Sequence, residues 1–190
     1  MGLTEPIRDK RQVSKFIAYY RNLGQTRNYV LATLCIYSAL RISDILSLTW
    51  NDVYDFNNRR IRDSITITEK KTKKSKTIAI NKSVATALSA YLPSAEKGKP
   101  LIVNSQTGKA ISRIQAYRLI RTAAEALDFS QRVSCHSLRK TFGYHAVKSG
   151  ASLAVIMEIY NHSSYAITRR YLGISQDDKN AVYLGLSLNL

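Results

Sequence analysis

Helical spacing of apolar residues runs through most of this chain and is interrupted once, by a stretch rich in β-branched residues. Apolar side chains recur every three or four positions in 8–23 and 111–127. Between 54 and 80 the pattern changes to isoleucines set among threonines, with turn residues between them. We therefore predict a mainly α fold with a small three-stranded antiparallel β-sheet whose basic hairpin tip lies near Lys71.

One domain accounts for the length of 190 residues, of which 45% are hydrophobic. A chain of this size buries roughly 70% of its unfolded surface, so it needs no disulfide or metal to hold it together. The two cysteines, Cys35 and Cys135, are not spaced as a metal knuckle. The first 15 residues lack the apolar core of a signal peptide, and no apolar run approaches the length of a membrane span. We expect a soluble cytoplasmic protein.

The chain is strongly basic, with 29 Lys and Arg against 13 Asp and Glu, a formal net charge of +16. Such a surplus attracts polyanions, of which nucleic acid is the first candidate. An anionic membrane is a weaker candidate, because no separate basic amphipathic helix is present. A basic solvated surface without a partner is the alternative that charge alone leaves open.

Four short segments concentrate residue types that can act on a phosphate. Taken singly, each has an ordinary explanation, such as a surface ion pair, a solvated hairpin or a loop histidine with a satisfied hydrogen bond. The segments are Arg41-Ile42-Ser43-Asp44, the hairpin lysines around Lys71, His136-Ser137-Leu138-Arg139, and His162 followed by Tyr171.

Together these residues predict phosphoryl transfer through a covalent tyrosine intermediate. Two arginines can grip the non-bridging oxygens of a phosphate, and histidines can move protons near neutral pH. A lysine can protonate a leaving oxygen, and a tyrosine can attack once its proton is removed. The sequence has no carboxylate cluster, Gly-rich phosphate loop or Cys/His ligand set, so neither a metal nor a cofactor is expected.

The order Arg, Lys, His-x-x-Arg, His, Tyr resembles the catalytic domain of the tyrosine recombinases, the phage integrase family. The resemblance covers most of the chain, from about Arg8 to Leu172, and its last two boxes at this spacing are highly specific. The matching segments are the first-arginine box at 39–48, the lysine hairpin at 69–80, the His-x-x-Arg box at 136–143, and the nucleophile helix with its approach at 161–171.

The resemblance assigns a role to each matching residue. Arg41 and Arg139 would clamp the scissile phosphate, and His136 would be a base or hydrogen-bond partner. Lys71 would be the general acid, with Lys70 as a rival because the hairpin register is open. The remaining roles are Tyr171 as the nucleophile, His162 as a phosphate ligand, Asp44 as an acid orienting the basic groups, and Lys70, Lys73, Lys74, Lys76, Arg169 and Arg170 as DNA contacts.

Two departures from the family pattern stand out. Asn161 precedes His162 where glycine is usual, although asparagine tolerates positive φ better than most residues. Most members carry an N-terminal core-binding domain, which we do not expect in this sequence, so 1–190 is expected to be a single catalytic domain. It is either a naturally short member, similar in size to the fimbrial-switch DNA invertases, or a fragment of a longer integrase.

The resemblance implies a site-specific DNA recombinase that integrates, excises or inverts DNA through a 3′-phosphotyrosine. Its expected partner is double-stranded DNA with inverted-repeat sites, bound by a homotetramer that is monomeric when free. The tail 177–190 would dock on a neighbouring protomer or pack on its own core. A nucleoid-associated, bacterial or phage-encoded protein fits this scheme, as does a DNA-bending accessory protein. A type IB topoisomerase and a DNA-binding regulator without turnover are the alternatives.

Overall fold

The computed structural model describes residues 4–71 and 73–186. Helices dominate this part of the chain, and four short strands fall together between the fourth and fifth helices. The helices are α1 (Lys10–Asn22), α2 (Thr26–Tyr37), α3 (Ile42–Ile45), α4 (Trp50–Val53), α5 (Lys82–Tyr91), α6 (Arg113–Ala126), α7 (Cys135–Lys148), α8 (Leu153–Tyr160), α9 (Tyr165–Leu172) and α10 (Gln176–Gly185). The strands are β1 (Tyr54–Asp55), β2 (Arg60–Ile61), β3 (Ser64–Thr68) and β4 (Ser75–Ala79).

Short polar side chains begin most of the longer helices. Each accepts a hydrogen bond from a backbone N–H of the first turn, which satisfies a donor that the helix itself cannot. These N-caps are Asp9, Asn81, Ser112, Ser134, Ser152, Ser164 and Ser175. The prediction of a mainly α fold is confirmed.

The main core forms around α2, which is apolar on nearly all sides. Nine of its twelve residues are buried, as expected for a helix surrounded by other helices. Helices α1, α5 and α7 pack against it. Trp50 of α4 and Tyr91 of α5 close one end of this core with ring centroids 5.1 Å apart.

The prediction of one three-stranded sheet is wrong, because the four strands form two separate antiparallel pairs. Strand β1 pairs with β2, and β3 pairs with β4 over five residue pairs from Ser64↔Ala79 to Thr68↔Ser75. The chain changes partner between two adjacent residues. The N–H of Arg62 donates to Val53 O, whereas Asp63 O accepts from the N–H of Ile80. A continuous three-stranded ladder therefore does not form.

A second, smaller apolar cluster joins the C-terminal helices to α7. It is formed by the buried residues Ala39, Ile156, Tyr160 and Leu172. The N-terminal stretch 4–8 crosses the outside of α7, where the N–H of Ile7 donates to Thr141 Oγ1 at 2.9 Å. Within residues 4–71 and 73–186, no helix is long and apolar enough to cross a membrane.

Candidate active site

An open groove of about 1230 Å³ gathers the three predicted catalytic cations, Arg41, Lys71 and Arg139. Its walls come from the start of α3, the hairpin tip, the start of α6 and the start of α7. Six basic residues line it, and no Asp or Glu from the described part of the chain does. A groove with this charge suits a polyanion. The basic lining residues are Arg41, Lys70, Lys71, Arg113, Arg132 and Arg139.

Arg41 stands between two helices at a backbone turn of unusual conformation. Helix α2 ends at Tyr37, and Ala39 then adopts a left-handed conformation with φ 54°. Arg41 follows in extended conformation as the N-cap of α3. Its Nη1 donates to Glu69 Oε2 at 3.1 Å. Asp44 is buried one turn later, and its Oδ1 accepts from the N–H of Lys70 at 3.1 Å, which ties the hairpin to α3.

Helix α7 presents His136 and Arg139 on one face, three residues apart. Ser134 and Ser137 form a capping box that sets the start of this helix. The guanidinium of Arg139 is buried and donates to the carbonyls of Ala39 and Tyr160. It also lies 4.6 Å from the centroid of the Tyr160 ring. These contacts fix Arg139 firmly and leave other guanidinium N–H groups available to a ligand.

Tyr171, on α9, meets His136 of α7. Its Oη lies 3.5 Å from His136 Nδ1, and its ring packs edge-on against the rings of His136 and His162, each at 4.9 Å. His162 Nδ1 in turn lies 3.1 Å from Thr168 Oγ1. The fold therefore brings Arg41, Arg139, His136, His162 and Tyr171 together from four separate segments.

The electrostatics of the site suit His136 as a proton acceptor. Although its ring opens onto the groove, withdrawal from bulk water lowers the pKa of His136 to about 4, and the cations Lys140, Arg139 and Arg41 add to this effect. The imidazole is therefore neutral at pH 7. Burial raises the pKa of Tyr171, which Arg139 partly opposes. A protonated phenol beside a neutral imidazole is a suitable starting state for a nucleophile activated by a base.

The predicted hairpin lysines differ in exposure and in whether they line the groove. Lys70 and Lys71 are exposed and both line the groove, so the choice of general acid between them stays open. Lys73 and Lys74 are exposed beyond the tip, and Arg169 and Arg170 are exposed on α9 beside Tyr171.

Lys76 points inward instead. Its Nζ donates to Ile159 O at 2.6 Å. Burial lowers the pKa of Lys76 to about 8, although Glu69 acts in the opposite direction. Lys76 therefore joins strand β4 to helix α8 beside the site.

Sequence reasoning missed several residues that shape the site. Glu69 is fully buried beside Arg41, and Lys140 places its Nζ 5.2 Å from the centroid of the Tyr171 ring while donating to Thr4 O at 2.6 Å. Tyr160 donates its hydroxyl to Arg139 O at 2.6 Å. Glu69 carried one usable signal, since it is the only acid in the most basic part of the hairpin.

Comparison with known proteins identifies the family of the chain. The model of the phage integrase family matches residues 8–177. A probable integrase/recombinase of Bacillus subtilis, YoeC, is 39% identical over 183 residues, which cover 96% of this chain and 97% of that protein. Tyrosine recombinase XerD of Corynebacterium glutamicum is 28% identical over 84% of this chain but only 52% of its own length. The chain thus spans about half of the XerD-type relatives and nearly all of YoeC.

Solved structures show the same fold. The crystal structure of XerA recombinase superposes with a TM-score of 0.79 at 20% identity, covering 98% of this chain and 68% of that one. XerH site-specific recombinase, bound to a palindromic difH substrate in a post-cleavage complex, gives a TM-score of 0.76 at 17% identity and covers 97% of this chain and 55% of that one. With the family model matching most of its length, this chain belongs to the phage integrase family, the tyrosine recombinases.

Proposed function

We propose that this chain is a site-specific DNA recombinase that cleaves and rejoins DNA through a covalent link to Tyr171. One observation carries the proposal. The Tyr171 hydroxyl lies 3.5 Å from Nδ1 of His136, which lines a basic groove that no carboxylate of the described residues lines. The names of the relatives, which are recombinases and integrases, support the same reaction class.

The proposed reaction exchanges one phosphodiester bond for another. The Tyr171 oxygen attacks the phosphorus while its proton passes to His136. The bond to the 5′ oxygen breaks, and that oxygen takes a proton from Lys71, or from its rival Lys70. Arg41, Arg139 and His162 bind the phosphate oxygens as negative charge spreads over them. The 3′-phosphotyrosine conserves the bond energy, so a free 5′ hydroxyl can reverse the step without an external energy source.

Charge supports double-stranded DNA as the partner. A formal charge of +16 on a small domain gives affinity that falls steeply with salt, because binding releases the counterions of DNA. Exposed cations precede the nucleophile in the chain at Arg169 and Arg170, and the hairpin exposes Lys70, Lys71, Lys73 and Lys74. In this proposal they contact the backbone on either side of the scissile phosphate.

The exposed apolar face of the C-terminal helix is the observation that supports a proposal of assembly on DNA. Helix α10 buries none of its residues, and Val182, Tyr183, Leu184 and Leu186 are 71–87% exposed. Contiguous exposed apolar residues mark an interaction surface. We infer that this tail docks on a neighbouring protomer in a DNA-bound tetramer. The further residues Leu188 and Leu190 of the predicted tail lie outside the described part of the chain.

The deciding experiment is covalent capture in cells that express the protein. Denatured protein is recovered with its attached DNA, and the DNA is sequenced. Tyr171→Phe, which lacks only the attacking oxygen, is carried through in parallel. We expect adducts concentrated at a pair of inverted repeats in the wild type and none in the variant.

The other outcomes decide against the proposal in distinct ways. Adducts scattered over the genome, still dependent on Tyr171, would indicate a topoisomerase. Binding focused on particular sites without any covalent link would indicate a regulator that has kept the fold. Adducts that persist in Tyr171→Phe would place the nucleophile elsewhere.

A further inference from the structure

A buried carboxylate in the basic hairpin links two parts of the site that the proposed reaction uses separately. Glu69 is 0% exposed and precedes Lys70 and Lys71 at the hairpin tip. A carboxylate in such a position is costly unless charged or hydrogen-bonding groups compensate it. Its partners therefore indicate what it is there to hold.

One oxygen of Glu69 joins two elements of the site. Oε2 accepts from Arg41 Nη1 at 3.1 Å and from Asn161 Nδ2 at 2.8 Å. Arg41 begins α3, and Asn161 immediately precedes His162 in the turn between α8 and α9. Arg41 uses one of its five N–H donors in this hydrogen bond, and the others remain for a phosphate.

Lys76 reinforces the same junction from the hairpin side. Its Nζ lies 4.0 Å from Glu69 Oε1 and donates to Ile159 O at the end of α8. The hairpin is therefore attached to α8 at two points, Ile159 and Asn161, and Glu69 takes part in one of them directly.

Asn161 does more here than permit a turn. It caps α8 in the left-handed conformation, with φ 53° and ψ 46°. Glycine, which is usual at this position in the family, would meet that backbone requirement equally well. Only the asparagine amide can also donate to Glu69, so the departure from the family pattern coincides with the buried acid.

We propose that Glu69 and Asn161 are a pair of positioning residues that fix Arg41 and the His162 turn relative to each other before DNA binds. The proposal deepens the proposed function and rests on it, since it assumes that Arg41 and His162 bind one phosphate. Neither Glu69 nor Asn161 touches the reacting atoms. Their effect is to reduce the rearrangement that phosphate binding would otherwise require.

The test uses inorganic phosphate as the probe and the imidazole NMR signals as the readout. The chain has three histidines. His136 and His162 lie in the site, whereas His145 faces Ile7 O outside it, at 2.9 Å, and serves as an internal reference. We expect phosphate to shift the first two signals together with one dissociation constant and to leave His145 unmoved.

The variants separate the side chain of Asn161 from its backbone role. Asn161→Gly keeps the backbone and deletes the amide, so phosphate should bind about 3-fold more weakly, the effect of one net hydrogen bond. Asn161→Asp also tolerates the left-handed conformation but faces Glu69 with a second carboxylate, and phosphate should bind about 10-fold more weakly.

The decisive variant exchanges donor and acceptor. In Glu69→Gln with Asn161→Asp, the Gln amide can donate to the new carboxylate, and the net charge equals that of the wild type. We expect this swap to restore phosphate affinity to within about 2-fold of the wild type. Measuring Glu69→Gln alone completes the double-mutant cycle, and the two single effects on affinity should then be strongly non-additive. Glu158→Gln, an exposed acid-to-amide change on α8, is the matched control and should bind like the wild type.

Each outcome decides for or against the pair. Equal phosphate affinity in the wild type, Asn161→Gly and Asn161→Asp overturns the proposal, as does a swap that adds the two single effects. The proposal is also overturned if phosphate does not shift the His136 and His162 signals of the wild type, since a prearranged site must bind the ion. Thermal midpoints identify any variant that fails to fold, and Asn161→Gly, which introduces no clash, then carries the test. Loss of Tyr171-dependent adducts, by contrast, concerns only the proposed reaction.

Discussion

The cation clamp and the nucleophile segment meet at one site but are built very differently. The clamp, formed by Arg41, His136 and Arg139, stands on α2, α3 and α7. Helices α2 and α7 bury nine and seven residues. The nucleophile segment, residues 153–186, contains α8 and α9 with two buried residues each and α10 with none.

This difference in burial indicates that the nucleophile segment moves more freely than the cation clamp. Segments with few buried apolar contacts open at lower free energy than core helices. The core helices therefore fix the positions of Arg41, His136 and Arg139. The position of Tyr171 depends on a small number of contacts, which lie around Tyr160, Leu172 and Asp178 and where the hairpin meets Ile159 and Asn161. A neighbouring protomer that binds α10 could control the nucleophile without disturbing the clamp.

The largest effect is expected from the clamp, with Arg139→Lys. An ammonium cannot reach the carbonyls of Ala39 and Tyr160 and a phosphate together, because it lacks the planar fork of arginine. We expect the rate of covalent adduct formation to fall about 100- to 1000-fold, measured in a single turnover on DNA recovered by the capture experiment. Arg21→Lys, exposed on α1, should keep the wild-type rate. A rate within a few-fold of wild type for Arg139→Lys would contradict a rigid clamp.

The joint between the two regions is the next most sensitive point, tested with Gly143→Ala. A Cβ at this position would lie 2.5 Å from both Leu172 Cδ2 and Tyr160 Oη, so α7 and the nucleophile segment would have to separate. We expect the free energy of unfolding to fall by about 1–3 kcal/mol, measured by urea denaturation. Gly185→Ala has no atom within 4 Å of its new Cβ and should not destabilise. An unchanged unfolding midpoint for Gly143→Ala would mean that the two regions are less tightly joined than described.

The anchor of α10 should show a pH-dependent effect, tested with Asp178→Asn. Burial alone would raise the pKa of Asp178, but hydrogen bonds from Lys148 and Ser175 hold it well below its usual value. Because the folded-state pKa is depressed, the stabilisation is present above about pH 5 and is lost as the pH falls below the ordinary carboxyl range near 4.

We expect Asp178→Asn to lose about 1–2 kcal/mol of unfolding free energy at pH 7 and to show a flatter stability curve between pH 5 and pH 3. Thermal melts across that range measure it, with Asp177→Asn on the same helix, an exposed residue, as the control. Parallel curves for Asp178→Asn and the wild type would argue that α10 is held in some other way.

The smallest effect on the isolated chain is expected at the exposed end of the nucleophile segment, with Leu184→Ser. The side chain is 87% exposed, so unfolding free energy should change by less than about 0.5 kcal/mol. Assembly on DNA, measured by sedimentation, should nevertheless weaken. Leu23→Ser, 53% exposed at the end of α1, should affect neither property. Unchanged assembly would remove the argument for docking by the tail.

Much of the helical architecture could be predicted because apolar spacing and capping residues act locally. The helices around Phe16 and Ile120 follow their sequence pattern closely. The division of the strands into two pairs could not be predicted. The change of hydrogen-bond partner between Arg62 and Asp63 depends on which backbone groups the fold brings near them. The inward direction of Lys76 was equally invisible, since one lysine among several gives no local signal of burial.

The sequence by itself determined the chemistry that the chain can offer. The residue types and order of Arg41, His136, Arg139, His162 and Tyr171 predicted the family, and that prediction is confirmed. Only the tertiary structure decided how these groups are held. Glu69 meets Arg41 and Asn161 across 28 and 92 residues of chain, and the carbonyl of Ala39 meets Arg139 across 100. Contacts at such separations arise from packing of the whole core, which no local pattern encodes.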